Sequence, residues 1–138
     1  RQKAMKPLPL PPPPAEDVEE IFKVVESKPF FKANCCENIF DHFEREKCSN
    51  EQMLKFLYGN LRYPALAKEN GVEGTVVVQF VVEKNGSITD VKVVRDIGAG
   101  CGAEAVRVVK KMPNWNPGKQ RGRAVRVQFS LPVRFKLQ

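Results

Sequence analysis

A single histidine stands in 138 residues, and what is missing narrows the function before what is present is considered. His42 sits in Asn38-Ile39-Phe40-Asp41-His42-Phe43, a stretch expected to form an exposed helix face. With no orienting partner in view it suits neither a catalytic triad nor a metal site. There is no glycine-rich phosphate loop and no zinc-hydrolase motif. No run approaches the ~18 apolar residues that a helix needs to cross a bilayer. The chain opens on Arg1, with neither an initiator Met nor the apolar core of a signal peptide, so a piece of a longer protein is expected. The reading is therefore not an enzyme: no catalytic residue, no cofactor and no metal.

Acidic residues are also missing from one end. Residues 1–62 balance ten basic against ten acidic side chains, whereas residues 63–138 carry thirteen against six and so hold the whole net charge of +7. From Arg107 onward there are nine Lys or Arg and no Asp or Glu. A basic face of this kind attracts nucleic acid, anionic lipid or cell-wall polymer, or simply keeps a domain soluble. Hydrophobic residues at 42% are enough for one ordinary globular core.

Proline is abundant and unevenly spread. Lys6-Pro7-Leu8-Pro9-Leu10-Pro11-Pro12-Pro13-Pro14 must be extended, because each proline fixes φ and pushes its predecessor towards polyproline II. Pro7 to Pro14 covers roughly 25 Å as a semi-rigid rod. Residues 1–28 are read as a spacer, largely extended or disordered, with Ile21-Phe22-Lys23-Val24-Val25 left open between a short strand and disorder. Residues 29–138 are read as the folded domain, of which 29–50 form a helical, cysteine-containing extension.

Within the domain, Ile39, Phe40 and Phe43 predict a short amphipathic helix over 37–47. Ser49-Asn50-Glu51-Gln52 has capping-box spacing and predicts the start of a second helix, whose Met53, Leu54, Leu57 and Leu61 share a face. Pro64 and Gly71 bracket a third. Valine-rich 75–83 and 88–94 flank Asn85-Gly86, a two-residue hairpin signal that would set Phe80 opposite Val91 and Val78 opposite Val93. Ala105, Val106, Val109 and Met112 form the stripe of another helix, ended by Pro113. Last, Val125, Val127, Phe129, Leu131, Val133, Phe135 and Leu137 alternate with polar residues or proline, a long half-buried strand. Pro132 cannot donate to a ladder, which puts this strand at a sheet edge or bends it there. The fold class is α+β: two to four helices on a small antiparallel three-stranded sheet, after a proline-rich extended segment.

The cysteines Cys35, Cys36, Cys48 and Cys101 match no zinc-ribbon or thioredoxin spacing. A disulfide from Cys48 to Cys36, or to Cys35, would tie the first helix to the start of the second and contribute roughly 3 kcal/mol. The spacing does not choose between the pairings, nor between a disulfide and reduced buried thiols. Phe129 and Phe135 fall on the apolar parity of the last strand, which argues against a stacking platform for nucleic acid. A long edge strand with Arg126, Arg134, Lys136 and Pro132 is either guarded against aggregation or is a dock that takes an extended peptide as an extra strand.

Several local patterns combine into a resemblance. Tyr63-Pro64-x-x-Ala67, then Gly71-Val72-x-Gly74-Thr75-Val76-x-Val78, Asn85-Gly86, Ala105 with Val109, Pro113-x-Trp115-x-Pro117-Gly118 and Leu131-Pro132-Val133-x-Phe135 are together similar to the C-terminal domain of TonB-family energy transducers of the Bacteroidetes type. The resemblance covers roughly residues 50–138. It implies a periplasmic domain whose full-length protein is anchored in the inner membrane by an N-terminal helix and coupled there to the ExbB–ExbD motor. It implies binding to the TonB box of outer-membrane TonB-dependent transporters by strand addition, with force passed on for active uptake, siderophore uptake among its uses. Carried onto this chain, the docking edge is Arg123, Ala124, Val125, Arg126, Val127, Gln128 and Phe129, and a second contact region is Asn60, Leu61, Arg62, Tyr63 and Pro64. Strand exchange into a homodimer is a further expectation. The competing reading is a peptidoglycan-binding module that uses the basic C-terminal face; nucleic acid has no place beside a periplasmic location.

Overall fold

The computed structural model of the chain describes residues 20–137, so the proline-rich rod expected over residues 7–14 lies outside the described residues. The elements run β1 (Ile21–Phe22), β2 (Phe30–Phe31), a 3₁₀ turn (Asn34–Cys36), α1 (His42–Asn60), α2 (Ala65–Glu69), β3 (Gly74–Val82), β4 (Ile88–Arg95), α3 (Cys101–Lys110), β5 (Trp115–Asn116), β6 (Gly118–Gln120) and β7 (Arg123–Phe135). The mixed α+β class is as the sequence indicates. The main sheet has the order β1-β7-β3-β4, with β3 antiparallel to both neighbours, β1 parallel to β7, and β6 also paired to β7. A separate two-stranded piece joins β2 to β5. No helix among the described residues is long and apolar enough to cross a membrane.

Period-two patterning builds the core. Val76, Val78, Phe80 and Val82 of β3 and Leu131, Val133 and Phe135 of β7 point to one face, where Ala105, Val108 and Val109 of α3 and Met53 and Leu57 of α1 cover them. Trp115 is buried edge-on against Phe80, Phe31 and Phe129. It closes the end of the sheet and draws β2 into the core.

Two local expectations are corrected. The helices expected over 37–47 and from Ser49 are one helix, α1, capped by Asp41, whose carboxylate accepts from the N–H groups of Phe43 and Glu44. Ser49 is therefore an interior helix residue, fully buried, and its hydroxyl donates to the carbonyl of Phe31 rather than to its own backbone. Capping-box spacing is silent about a helix that has already begun. The first turn of α1 and the residues just before it also project beyond the core, which leaves Phe40 99% and Phe43 72% exposed instead of forming an inward face. The disulfide is Cys36–Cys48, which ties the 3₁₀ turn to α1.

The hairpin expectation holds in its middle and fails at its tip. Val78 does oppose Val93, but register shifts on either side leave Phe80 opposite the pair Asp90–Val91. At the tip, Glu83 N–H bonds Ser87 C=O and Gly86 N–H bonds Glu83 C=O, giving a three-residue loop with Gly86 at φ +87. This is a type I turn closed by a left-handed residue. A Cβ on Gly86 would lie 2.0 Å from the Trp115 carbonyl, and the Gly86 carbonyl accepts from Trp115 N–H at 2.7 Å, so this glycine joins hairpin and tryptophan. Gly86→Ala is expected to cost at least about 2 kcal/mol, through both the clash and the positive φ. Gly59→Ala, in the open last turn of α1, is expected to add about 0.5–1 kcal/mol; chemical denaturation of the two variants checks the opposite signs.

Candidate functional site

The strand expected to dock a partner is held on one side by an unbroken ladder. Val127 to Phe135 of β7 pair with Val82 to Gly74 of β3 without a register shift. In an antiparallel ladder each residue turns its N–H and C=O to one flank and the next residue turns them to the other. Arg134 N–H donates to the Tyr58 hydroxyl at 3.0 Å, so the backbone of Arg134 faces away from β3. By alternation Pro132, Ser130, Gln128 and Arg126 also face that outer flank. Pro132 thus occupies the parity at which a missing N–H costs no bond to β3.

The outer flank is occupied at both ends. β1 pairs there with Arg126 and Val127, and Tyr58 takes Arg134. Between them, among the described residues, no strand pairs with Gln128 to Val133 on this side. That opening is roughly 20 Å long at ~3.3 Å per residue. It presents the N–H group of Ser130 and the carbonyls of Gln128, Ser130 and Pro132; the Gln128 N–H is taken by β1, because the parallel pairing of Phe22 with Val127 is made through the neighbours of Val127. The side chains of Ser130 and Pro132 are exposed beside it.

The seven residues expected to form the docking edge are therefore divided. Arg123, Ala124 and Val125 pair with Gln120, Lys119 and Gly118 of β6 across an Arg121–Gly122 turn with both φ values positive, 54 and 77, a hairpin geometry matched to strand twist. Arg126 and Val127 carry β1. Gln128 gives its N–H to β1 and keeps an open carbonyl, the Phe129 backbone faces β3, and the Phe129 ring packs inward on Phe80 and Trp115 at 5.5 and 5.1 Å. The expectation that the whole last strand lies at a sheet edge is corrected: β1 makes β7 the second strand over Arg126–Val127. The covering strand comes from a segment whose alternation is too short to read.

The second expected region sits at the other end of β7. The Tyr63 ring meets Phe135 edge-on at 5.6 Å, and its hydroxyl donates to the Val72 carbonyl. Arg62 N–H donates to Glu104 at 2.7 Å, and the Asn60 carbonyl accepts from Arg107 at 2.9 Å. Leu61 and Pro64 cap α1 and α2. Asn60 to Pro64 is thus fastened to α3 and to the far end of the sheet, and the two regions bracket the open flank without meeting. Tyr58 and Ser130 were not singled out from the sequence; the parity of Pro132 is the signal that points to the flank they border.

Charge fixes the neighbourhood. Arg126 forks onto Glu83 with contacts of 2.7 and 3.1 Å, and this bond holds the Glu83 carboxyl below its ordinary range. Arg107 does the same to Glu104 from one helical turn away. Away from β7, the exposed Cys35 places its sulfur 3.8 Å from that of Cys36, and burial pushes the Cys101 thiol up.

The chain is similar to several known proteins. The family described as Gram-negative bacterial TonB protein C-terminal matches residues 59–137. Protein TonB from two strains of Helicobacter pylori is 42% identical over 50 residues, 34% of this chain. The match spans 18% of the length of these curated relatives. Among solved structures, the solution structure of the Helicobacter pylori TonB C-terminal domain, residues 194–285, is 25% identical with a TM-score of 0.49, covering 63% of this chain and 91% of that one. A longer piece of the same domain, residues 179–285, gives 30% identity and a TM-score of 0.46 over 65% and 84%.

The Glu83–Arg126 pair makes a pH prediction. Because the Glu83 pKa is lower folded than unfolded, its contribution is present above the ordinary glutamate range of about 4.3 and is lost as pH falls through the folded value. Glu83→Gln is expected to lower stability by about 1–2 kcal/mol at pH 7, with the gap to the unaltered chain closing at a second pH well below the ordinary glutamate range. Urea melts at the two pH values check it.

Proposed function

The chain belongs to the Gram-negative bacterial TonB protein C-terminal family, and on that premise we propose that it is a periplasmic energy-transducing adaptor that takes the TonB box of outer-membrane transporters as an added strand on β7. The observation that carries this reading is the open flank of Gln128–Val133, with alternate backbone groups turned outward between β1 and Tyr58. Its one donor and three acceptors allow about four bonds. At ~0.5–1.5 kcal/mol net each they give a few kcal/mol, which suits a contact made and broken repeatedly rather than a permanent complex. Such bonds lie side by side across the strand, so a pull along it loads them together. The nine-pair ladder to β3 carries that load into the core. Coupling to an inner-membrane motor through a helix N-terminal to this chain completes the role.

In this account Tyr58 and the Asn60–Pro64 region mark where an added strand ends. A second reading, binding of anionic cell-wall polymer, draws on the exposed basic side chains Arg121, Arg123, Arg134 and Lys136.

The test is titration of isotope-labelled chain with synthetic TonB-box peptides. New amide protection at Ser130 is expected, with binding abolished in Ser130→Pro while the fold survives, since that N–H bonds neither β3 nor β1. Val127→Pro, by contrast, is expected to unfold the sheet. Unchanged affinity in Ser130→Pro overturns the docking reading. Affinity for cell-wall polymer that collapses with salt and with charge reversal of Arg121 and Arg123 favours the second one.

A further inference from the structure

We propose that β1 is an internal occupant of the docking edge: the chain's own Ile21–Phe22 segment stands where a partner's strand would begin, and it leaves β7 when a partner pairs along the full edge. This rests on the docking reading above. Ile21 lies against Arg126 and Phe22 against Val127, parallel to β7, so the segment already makes the kind of contact that an added strand makes. It uses two of the seven residues to which the family resemblance assigns docking.

The hold is built to be released. Two paired residues are a short grip beside the nine that join β7 to β3, and Ile21 remains 37% exposed. The rest of the attachment is polar and at the surface. Ser27 and Lys119 exchange backbone bonds of 3.0 and 2.8 Å. Glu26 N–H donates to the Gln120 side chain at 2.9 Å, and the Glu26 carboxylate accepts from Arg121 N–H at 2.5 Å. Exposed bonds of this kind exchange with water at small net cost. In the sequence, four of the five residues 16–20 are acidic, whereas β7 opens on Arg123 and Arg126, so the segment leading into β1 and the strand receiving it carry opposite charge. β1 is also the first described element after the proline-rich stretch. Tension reaching the domain from its N-terminal side therefore meets this short, peelable grip before it meets the β3/β7 ladder.

The experiment compares the full chain with its Ile21→Pro/Phe22→Pro double variant, which removes the strand donors and leaves β7 untouched. Two synthetic probes are titrated and followed by NMR: a TonB-box peptide and a peptide of residues 16–27 of this chain. The variant is expected to lose amide protection at Arg126 and Gln128, the two N–H groups that face β1, while the β3/β7 ladder stays protected. Both peptides are expected to bind it about tenfold more tightly, because the binding-competent fraction of the edge has risen. In the unaltered chain the TonB-box peptide should shift Ile21 and Phe22 towards their unpaired positions as it binds.

Equal affinity for both chains, with Ile21 and Phe22 unmoved, overturns the inference and leaves the docking reading standing. Failure of the TonB-box peptide on both chains, with residues 16–27 binding the variant alone, keeps β1 as occupant and overturns the docking reading instead. Should the proline variant melt, Glu26→Ala, which cuts only the bond to Arg121, is expected to give a smaller gain of about threefold; no gain there overturns the inference.

Discussion

The rest of the structure depends on the unshifted ladder between β3 and β7. Nine consecutive pairs assign every residue of β7 twice, its side chain to core or solvent and its backbone to inner or outer flank. One assignment puts Leu131, Val133 and Phe135 under the helices. The other turns Gln128, Ser130 and Pro132 outward. A one-residue slip would expose the whole apolar set and place the proline against β3, so the ladder has one tolerable register.

The remaining elements serve that ladder. Glu83, just past the end of β3, receives Arg126, and the hairpin tip beyond it joins Trp115 through Gly86. The disulfide and the buried Ser49 hydroxyl bind the 3₁₀ turn, β2 and α1 to one another at the same end. At the opposite end Tyr63 and Tyr58 fasten Phe135 and Arg134. The strand is thus clamped at both ends and free on one flank in the middle, an arrangement suited to accepting an added strand without loss of the core.

Much of this was legible in the sequence wherever a pattern repeats. Thirteen alternating residues give β7, the stripe of α3 is read nearly residue for residue, and Pro132 announces an unpaired backbone flank. What escaped had few residues or had its local signal overridden by distant contacts. β1 is two residues long, too short for any period. Ser49 resembles a cap until its hydroxyl is claimed by Phe31, eighteen residues away in sequence. Phe40 and Phe43 are spaced like a buried face, but among the described residues little is packed over them. The site was legible as a strand and not as a flank, because which end of an edge is covered depends on where a short, non-periodic segment returns.

Amide hydrogen exchange of the free chain, read residue by residue along β7, tests the central claim most directly. Alternation is expected: slow exchange at Val127, Phe129, Leu131 and Val133, whose N–H groups face β3, fast exchange at Ser130, and intermediate exchange at Gln128, whose N–H is held only by β1. Uniform protection from Arg126 to Arg134 would show that the flank is closed, and would contradict the account at its foundation.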